Sequence, residues 1–120
     1  MAKVFLVEDD RGVRETLRKL LIVKGHEVLF VATTLEEALS IVESGKLQEA
    51  GIDVVILDRS FPEKEGGPPV VSGPRVFEVV KKSGSMAIVI AYSGDLGVEY
   101  GDLKIPKKPS DLLQVLSWIH

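Results

Sequence analysis

Acidic residues stand at the ends of two apolar runs in this chain, and their placement is what could make them chemical. Lys3-Val4-Phe5-Leu6-Val7 stops on Glu8-Asp9-Asp10, and Gly51-Ile52-Asp53-Val54-Val55-Ile56-Leu57 stops on Asp58. A third run, Met86 to Tyr92, ends in Ser93-Gly94-Asp95, and Leu103-Lys104-Ile105 leads through Pro106 to Lys107-Lys108-Pro109. Carboxylates gathered in one crevice repel one another unless a cation sits among them, and an all-oxygen set of Glu8, Asp9 and Asp58 suits Mg²⁺. A carboxylate is a weak nucleophile. With a divalent cation and Lys108 spreading charge over the phosphoryl oxygens, it can accept phosphate as an acyl phosphate, and Ser93 would donate a further hydrogen bond.

Each residue also has a plainer reading. Aspartate commonly starts the loop after a strand, Asp9 or Asp10 can cap a helix, Ser93-Gly94-Asp95 reads as a turn, and Lys108 reads as a solvated charge before Pro109. Capping does not explain all the acids at once. The chemical reading depends on one scaffold bringing them together.

That scaffold is legible. Val54-Val55-Ile56-Leu57 is continuously apolar and rich in β-branched residues, as in a strand covered on both faces. After Asp10, Val13, Leu17, Leu20 and Leu21 recur at helical spacing opposite Arg14, Glu15, Arg18 and Lys19, with Gly25 as a stop. Glu27 to Val31 is a second strand, and Thr33 or Thr34 opens a second helix by a capping box, with a further helical turn at Leu47 to Ala50. Alternating strands and helices predict right-handed crossovers and a doubly wound, five-stranded parallel sheet of α/β class, with ligands beyond the carboxyl ends of the strands. Arg59 to Gly73, with Pro62, Gly66, Gly67, Pro68 and Pro69, reads as an irregular loop. Pro74 begins a third helix carrying Val76, Phe77, Val79 and Val80. The 14 residues between Ser93 and Lys108 leave no room for a full helix and a strand, so a short turn and an edge strand at Leu103 to Ile105 are expected. Ser110 is the natural cap of the last helix, which carries Leu112, Leu113, Val115, Leu116 and Ile119.

Composition narrows the classes. The 120 residues are expected to form one domain, 1–120, and 45% hydrophobic content fills a core. Without cysteine there is no disulfide, thiolate nucleophile or thiolate-bound metal. A formal charge of -3 argues against a nucleic-acid partner. No stretch approaches a membrane span and the N-terminus lacks a signal-peptide pattern, so a cytoplasmic location and no membrane partner are expected. His26 and His120 lack the neighbours of a phosphohistidine or metal site, and Tyr92 and Trp118 read as packing or surface residues.

The ordered set Val4-Phe5-Leu6-Val7-Glu8-Asp9-Asp10, Asp53-Val54-Val55-Ile56-Leu57-Asp58 with Pro62 and Gly66, Val89-Ile90-Ala91-Tyr92-Ser93-Gly94 and Lys108-Pro109 resembles the response-regulator receiver domain of two-component signalling. The resemblance spans nearly the whole chain and implies a flavodoxin-like fold. It implies Asp58 as phosphoacceptor, Asp9 as a direct Mg²⁺ ligand, Glu8 as a ligand through water, and the Ser60 backbone carbonyl as another. It further implies Ser93 as the switch hydroxyl, Lys108 as the phosphate-binding lysine, and Gly94 as the small residue that leaves room for phosphate. The donor would be a histidine kinase or phosphotransfer protein, with a downstream protein as target and no enzymatic turnover beyond self-catalysed transfer and hydrolysis.

Three departures stand out. The fourth helix is short or absent, Ile105 occupies the position three before Lys108 that is often aromatic in the family, and the loop from Glu65 to Gly73 is long. The chain ends at its last helix, so no output domain is expected. Two other readings remain: a non-phosphorylated pseudo-receiver serving as an interaction module, and a small-substrate phosphohydrolase. The second is disfavoured by Ser60, where such an enzyme typically wants a second acid.

Overall fold

The computed structural model describes residues 1–94 and 99–118. In chain order the elements are β1 (Lys3–Val7), α1 (Arg11–Val23), β2 (Glu27–Ala32), α2 (Leu35–Glu43), α3 (Lys46–Ala50), β3 (Val54–Leu57), β4 (Ser60–Pro62), β5 (Pro69–Val71), α4 (Gly73–Lys82), β6 (Ile88–Tyr92), β7 (Leu103–Ile105) and α5 (Pro109–Leu116). Five strands form one sheet in the order β2-β1-β3-β6-β7. Every pairing in it is parallel. This is a doubly wound, flavodoxin-like fold. The chain order reverses between β1 and β3, which makes the carboxyl ends of those two strands the crevice of the sheet.

Strand β3 lies at the centre with all four residues buried, which accounts for its unbroken apolar sequence. Its side chains alternate between two cores. Val55 and Leu57 join Ala38 and Val42 of α2 and Val76 and Val80 of α4. Val54 and Ile56 join Leu17 and Leu21 of α1 and Leu112 and Leu116 of α5. With helices on both faces, truncating Ile56 to alanine would cost about 2–5 kcal/mol, a large share of a domain's typical stability.

The helix starts are chemically defined. Asp10 caps α1, its carboxylate accepting the Val13 N–H at 3.0 Å. Thr34 caps α2 by accepting the Glu37 N–H at 3.1 Å, while the Glu37 carboxylate reaches back to the Thr33 N–H and hydroxyl. The short α3 lies at the extra turn expected near Leu47.

Two expectations are corrected. Arg59 to Gly73 is not wholly irregular, because β4 and β5 form an antiparallel hairpin inside it. Pro62 faces Pro69 there. Neither has an N–H to exchange, so theirs must be a non-hydrogen-bonded pair, a position where proline is tolerated. Ser110 is not the cap of α5; the helix begins earlier, at Pro109, and Lys108 holds the cap position with extended backbone. Proline at the first helical position is pre-organised for this.

Between β6 and β7 the described residues Ser93, Gly94 and Glu99 to Asp102 contain no helix, in keeping with a short or absent fourth crossover helix. Asp95 and Ile119 lie outside the described residues. No helix among the described residues is long and apolar enough to cross a membrane.

Candidate acidic site at the switch point

Glu8 and Asp9 follow β1, and Asp58 follows β3, on either side of the reversal in strand order. Backbone bonds hold them: Glu8 N–H to Ala32 O at 3.1 Å and Asp58 N–H to Val7 O at 3.1 Å. Sheet alternation aims them. Glu8 lies two residues beyond Leu6 and Asp58 two beyond Ile56, and both leucine and isoleucine point into the α1/α5 core. The two acids therefore emerge on that face. Glu8, Asp9 and Asp58 each offer a carboxylate oxygen, and these oxygens lie within 4.8 Å of one another.

Burial makes the cluster expensive. Glu8 is 1% exposed and Asp58 9%. Like charges at this spacing repel by about 3–4 kcal/mol per pair at an effective dielectric of 20. Burial first, and then the Asp58 charge, push the Glu8 carboxyl up to about 7. One cation answers part of this: the Lys107 ammonium lies 3.1 Å from Glu8 Oε1 and 3.3 Å from Asp58 Oδ1. Burial pulls Lys107 down, but the Asp58 and Glu8 charges outweigh it and hold its ammonium above the usual range.

A single ammonium does not balance three carboxylates. Glu8 Oε2 accepts the Asp10 N–H at 3.1 Å, whereas buried Glu8 Oε1 has no properly angled hydrogen bond despite the nearby lysine. Three carboxylates whose oxygens lie this close, with one ammonium among them, fit a hard cation bound by oxygen. Glu8, Asp9 and Asp58 are the residues that could hold one.

The other expected residues are placed as follows. Ser60, in β4, faces Val71 two pairs along from Pro62 and Pro69. It therefore also occupies a non-hydrogen-bonded position, and its carbonyl is turned away from β5. Ser93 follows β6 at the same rim, 6% exposed, its N–H donating to Ile105 O at 3.2 Å. A Cβ on exposed Gly94 would meet nothing within 4 Å, so no described atom of the chain demands glycine there.

Lys108 is the exception. It is exposed at the cap of α5, and Lys107 takes the place beside the acids. The turn after β7 makes the choice: Lys107 sits in a bend two residues beyond Ile105, where the Lys108 N–H donates back to the Pro106 carbonyl at 2.6 Å, and its ammonium is the one that meets the acids. Counted back from Lys107, the position often aromatic in receiver domains is Lys104 rather than Ile105, again not aromatic.

Tyr100 was not singled out by sequence. It is 1% exposed, and its hydroxyl donates to the Leu57 carbonyl at 2.9 Å, immediately before Asp58. A large aromatic residue beside Gly101 in a turn-rich stretch was the available signal. His26 is buried, its Nδ1 accepting the Ala2 N–H at 2.9 Å, and Tyr92 is packed in the core. Trp118 is exposed, and His120 lies outside the described residues. A cavity of about 620 Å³ beside His26 is lined by Met1, Lys24 and residues of α5 and contains none of the acids.

No protein-family model and no curated protein matches the sequence. Solved structures do. A CheY-like receiver domain from Methylobacillus flagellatus is 22% identical, with a TM-score of 0.76 over 100% of this chain and 99% of that one. A CheY-like receiver domain protein from Methanospirillum hungatei JF-1 is 21% identical, with a TM-score of 0.76 over 98% and 91%. The receiver domain of the hybrid histidine kinase CckA is 28% identical, with a TM-score of 0.72 over 98% and 97%. In its five-stranded, helix-covered parallel sheet the chain is built, over nearly its whole length, as response-regulator receiver domains are.

Proposed function

We propose that this chain is a two-component receiver that accepts a phosphoryl group on Asp58 and switches partner binding as a result. The observation that carries the reading is the Glu8, Asp9 and Asp58 cluster at the switch point with Lys107 against it. Asp58 Oδ1 is taken by the Arg59 N–H at 2.8 Å and by Lys107, which leaves Oδ2 to attack phosphorus. An O–P bond forms as the P–N bond of a phosphohistidine donor breaks, and the imidazole leaves and takes up a proton. Hydrolysis later returns the carboxylate and inorganic phosphate.

Lys107, rather than Lys108, would face the phosphoryl oxygens, with Ser93 donating from β6 and Gly94 leaving space. A bound Mg²⁺ would neutralise charge on the phosphoryl oxygens. Asp9 and Asp58 would hold it directly, Glu8 through water, with the Ser60 carbonyl as a further donor. The donor would be a histidine kinase or phosphotransfer protein in the cytoplasm. The chain would turn over no separate substrate.

The test is intact mass after incubation with a small acyl-phosphate donor, with and without Mg²⁺. One Mg²⁺-dependent phosphoryl adduct on the wild type, absent from Asp58→Asn, is the expected result. A second reading, a pseudo-receiver that binds partners without phosphorylation, draws on the helix-free described residues between β6 and β7 and the missing aromatic. It predicts no adduct, no binding of the phosphate mimic beryllium trifluoride, and partner binding unchanged in Asp58→Asn.

A further inference from the structure

The peptide groups around Asp58 are pinned from several sides. Its own N–H is held by β1, and the Arg59 carbonyl takes the N–H groups of Ser72 and Gly73 at 3.0 and 2.9 Å, at the start of α4. The Leu57 carbonyl takes the buried Tyr100 hydroxyl. These groups are in close contact. A Cβ on Gly73 would stand 2.6 Å from the Asp58 carbonyl oxygen, 3.0 Å from Tyr100 Cζ and 3.1 Å from Arg59 Cα. No slack exists between α4, the end of β3 and the tyrosine ring.

On its other side Tyr100 belongs to a segment that is itself fastened. Gly101, at φ 94°, lies against Ala91, where a Cβ would come within 2.8 Å. The Asp102 N–H donates to Val89 O at 2.7 Å, and its carboxylate accepts the Val89 N–H at 2.8 Å and pairs with Lys81 of α4 at 2.6 Å. Tyr100 is thus the side chain by which the Glu99 to Asp102 segment reaches the backbone that carries Asp58.

Resting on the receiver reading, we propose that Tyr100 is a positioning residue that couples occupancy of Asp58 to the Glu99 to Asp102 segment. A phosphoryl group on Asp58 adds charge and acceptor oxygens. Its oxygens compete with the remaining acyl oxygen of Asp58, Oδ1, for the Arg59 N–H, so the peptides flanking Asp58 must readjust. Because the contact behind them is close-packed, that readjustment is not absorbed locally and passes through the hydrogen bond from the Tyr100 hydroxyl to the Leu57 carbonyl. The output would leave through the segment after β6 without an aromatic residue on β7.

The experiment compares amide hydrogen exchange across Tyr100 to Asp102 in the wild type and Tyr100→Phe, each with Mg²⁺ alone and with Mg²⁺ plus beryllium trifluoride. Fluorine NMR reports separately whether the mimic is bound. In the wild type, filling the site is expected to change exchange of this segment several-fold. In Tyr100→Phe the mimic still binds, and exchange is the same in the filled and empty states. A purely structural tyrosine would speed exchange equally in both states and leave the difference intact, and that result overturns the proposal. So does an unchanged segment in wild type with the mimic bound. Absence of bound mimic in the wild type overturns the receiver reading itself, and this inference with it. Gly73→Ala, which forces the contact apart from the α4 side, is expected to erase the same difference and serves if Tyr100→Phe does not fold.

Discussion

Lys107 and Lys108 have the same chemistry and adjacent positions, yet only one is within reach of the acids. Replacing Lys107 by alanine removes an ion-paired cation and is expected to slow adduct formation from a small phosphodonor about 10- to 100-fold, as for loss of one charge-assisted contact. Lys108→Ala should stay within about two-fold of wild type; the reverse ranking in the same intact-mass time course would return the role to Lys108. Glu8 gives a pH prediction. Its folded carboxyl is raised from 4.5 to about 7, so the native state holds a proton that the unfolded chain releases. The stability this contributes is complete below about 4.5 and is lost as pH rises through about 7. Denaturant melts of the metal-free protein should therefore show stability falling between about pH 4.5 and 7 by up to about 3 kcal/mol. Glu8→Gln should flatten that fall.

At the scale of elements, hydrogen bonds from single side chains fix where the site-bearing pieces begin. Thr34→Ala removes the cap of α2 and should cost about 1 kcal/mol in urea unfolding, with no effect on adduct formation because Thr34 does not touch the acids. The β4-β5 hairpin depends on buried Ser72, whose hydroxyl donates to the Phe61 carbonyl at 3.0 Å. The hairpin is also tied to α2, where the Glu36 N–H donates to Glu63 O at 3.0 Å. Ser72→Ala removes a second bond from the Phe61 carbonyl, which keeps the Val70 N–H of its own strand pair, and is expected to cost about 0.5–1.5 kcal/mol. Faster amide exchange at Phe61 and Val70 would locate the loss in the hairpin; exchange unchanged there would show that the hairpin is held by other contacts.

For the molecule as a whole, the acidic rim is a burden in the metal-free state. Asp58→Asn removes one of three crowded charges and should stabilise the metal-free protein by about 1 kcal/mol, which for a domain of this size is about 3–5 °C in Tm. Mg²⁺ binding to the native state should raise the Tm of the wild type by mass action, and Asp58→Asn should lose most of that rise. A variant that is less stable than wild type without Mg²⁺ would mean that Lys107 already over-compensates the acids.

The linear pattern alone determined the α/β class, the places of the five sheet strands, the two helix starts to within one residue (Asp9 or Asp10, Thr33 or Thr34), and the acids at the ends of β1 and β3. These follow from local periodicity and from the continuous apolarity of doubly covered strands, properties of neighbouring residues. Tertiary structure decided the rest. The hairpin at Ser60 to Val71 was hidden because its prolines read as loop, while a non-hydrogen-bonded pair accommodates them. Lys107, not Lys108, stands beside the acids because the chain turns back on itself just after β7, a bend that no periodicity announces. Tyr100 reached Asp58 only because a segment more than forty residues away in sequence folds back onto β3, and no local periodicity encodes a contact between segments so far apart.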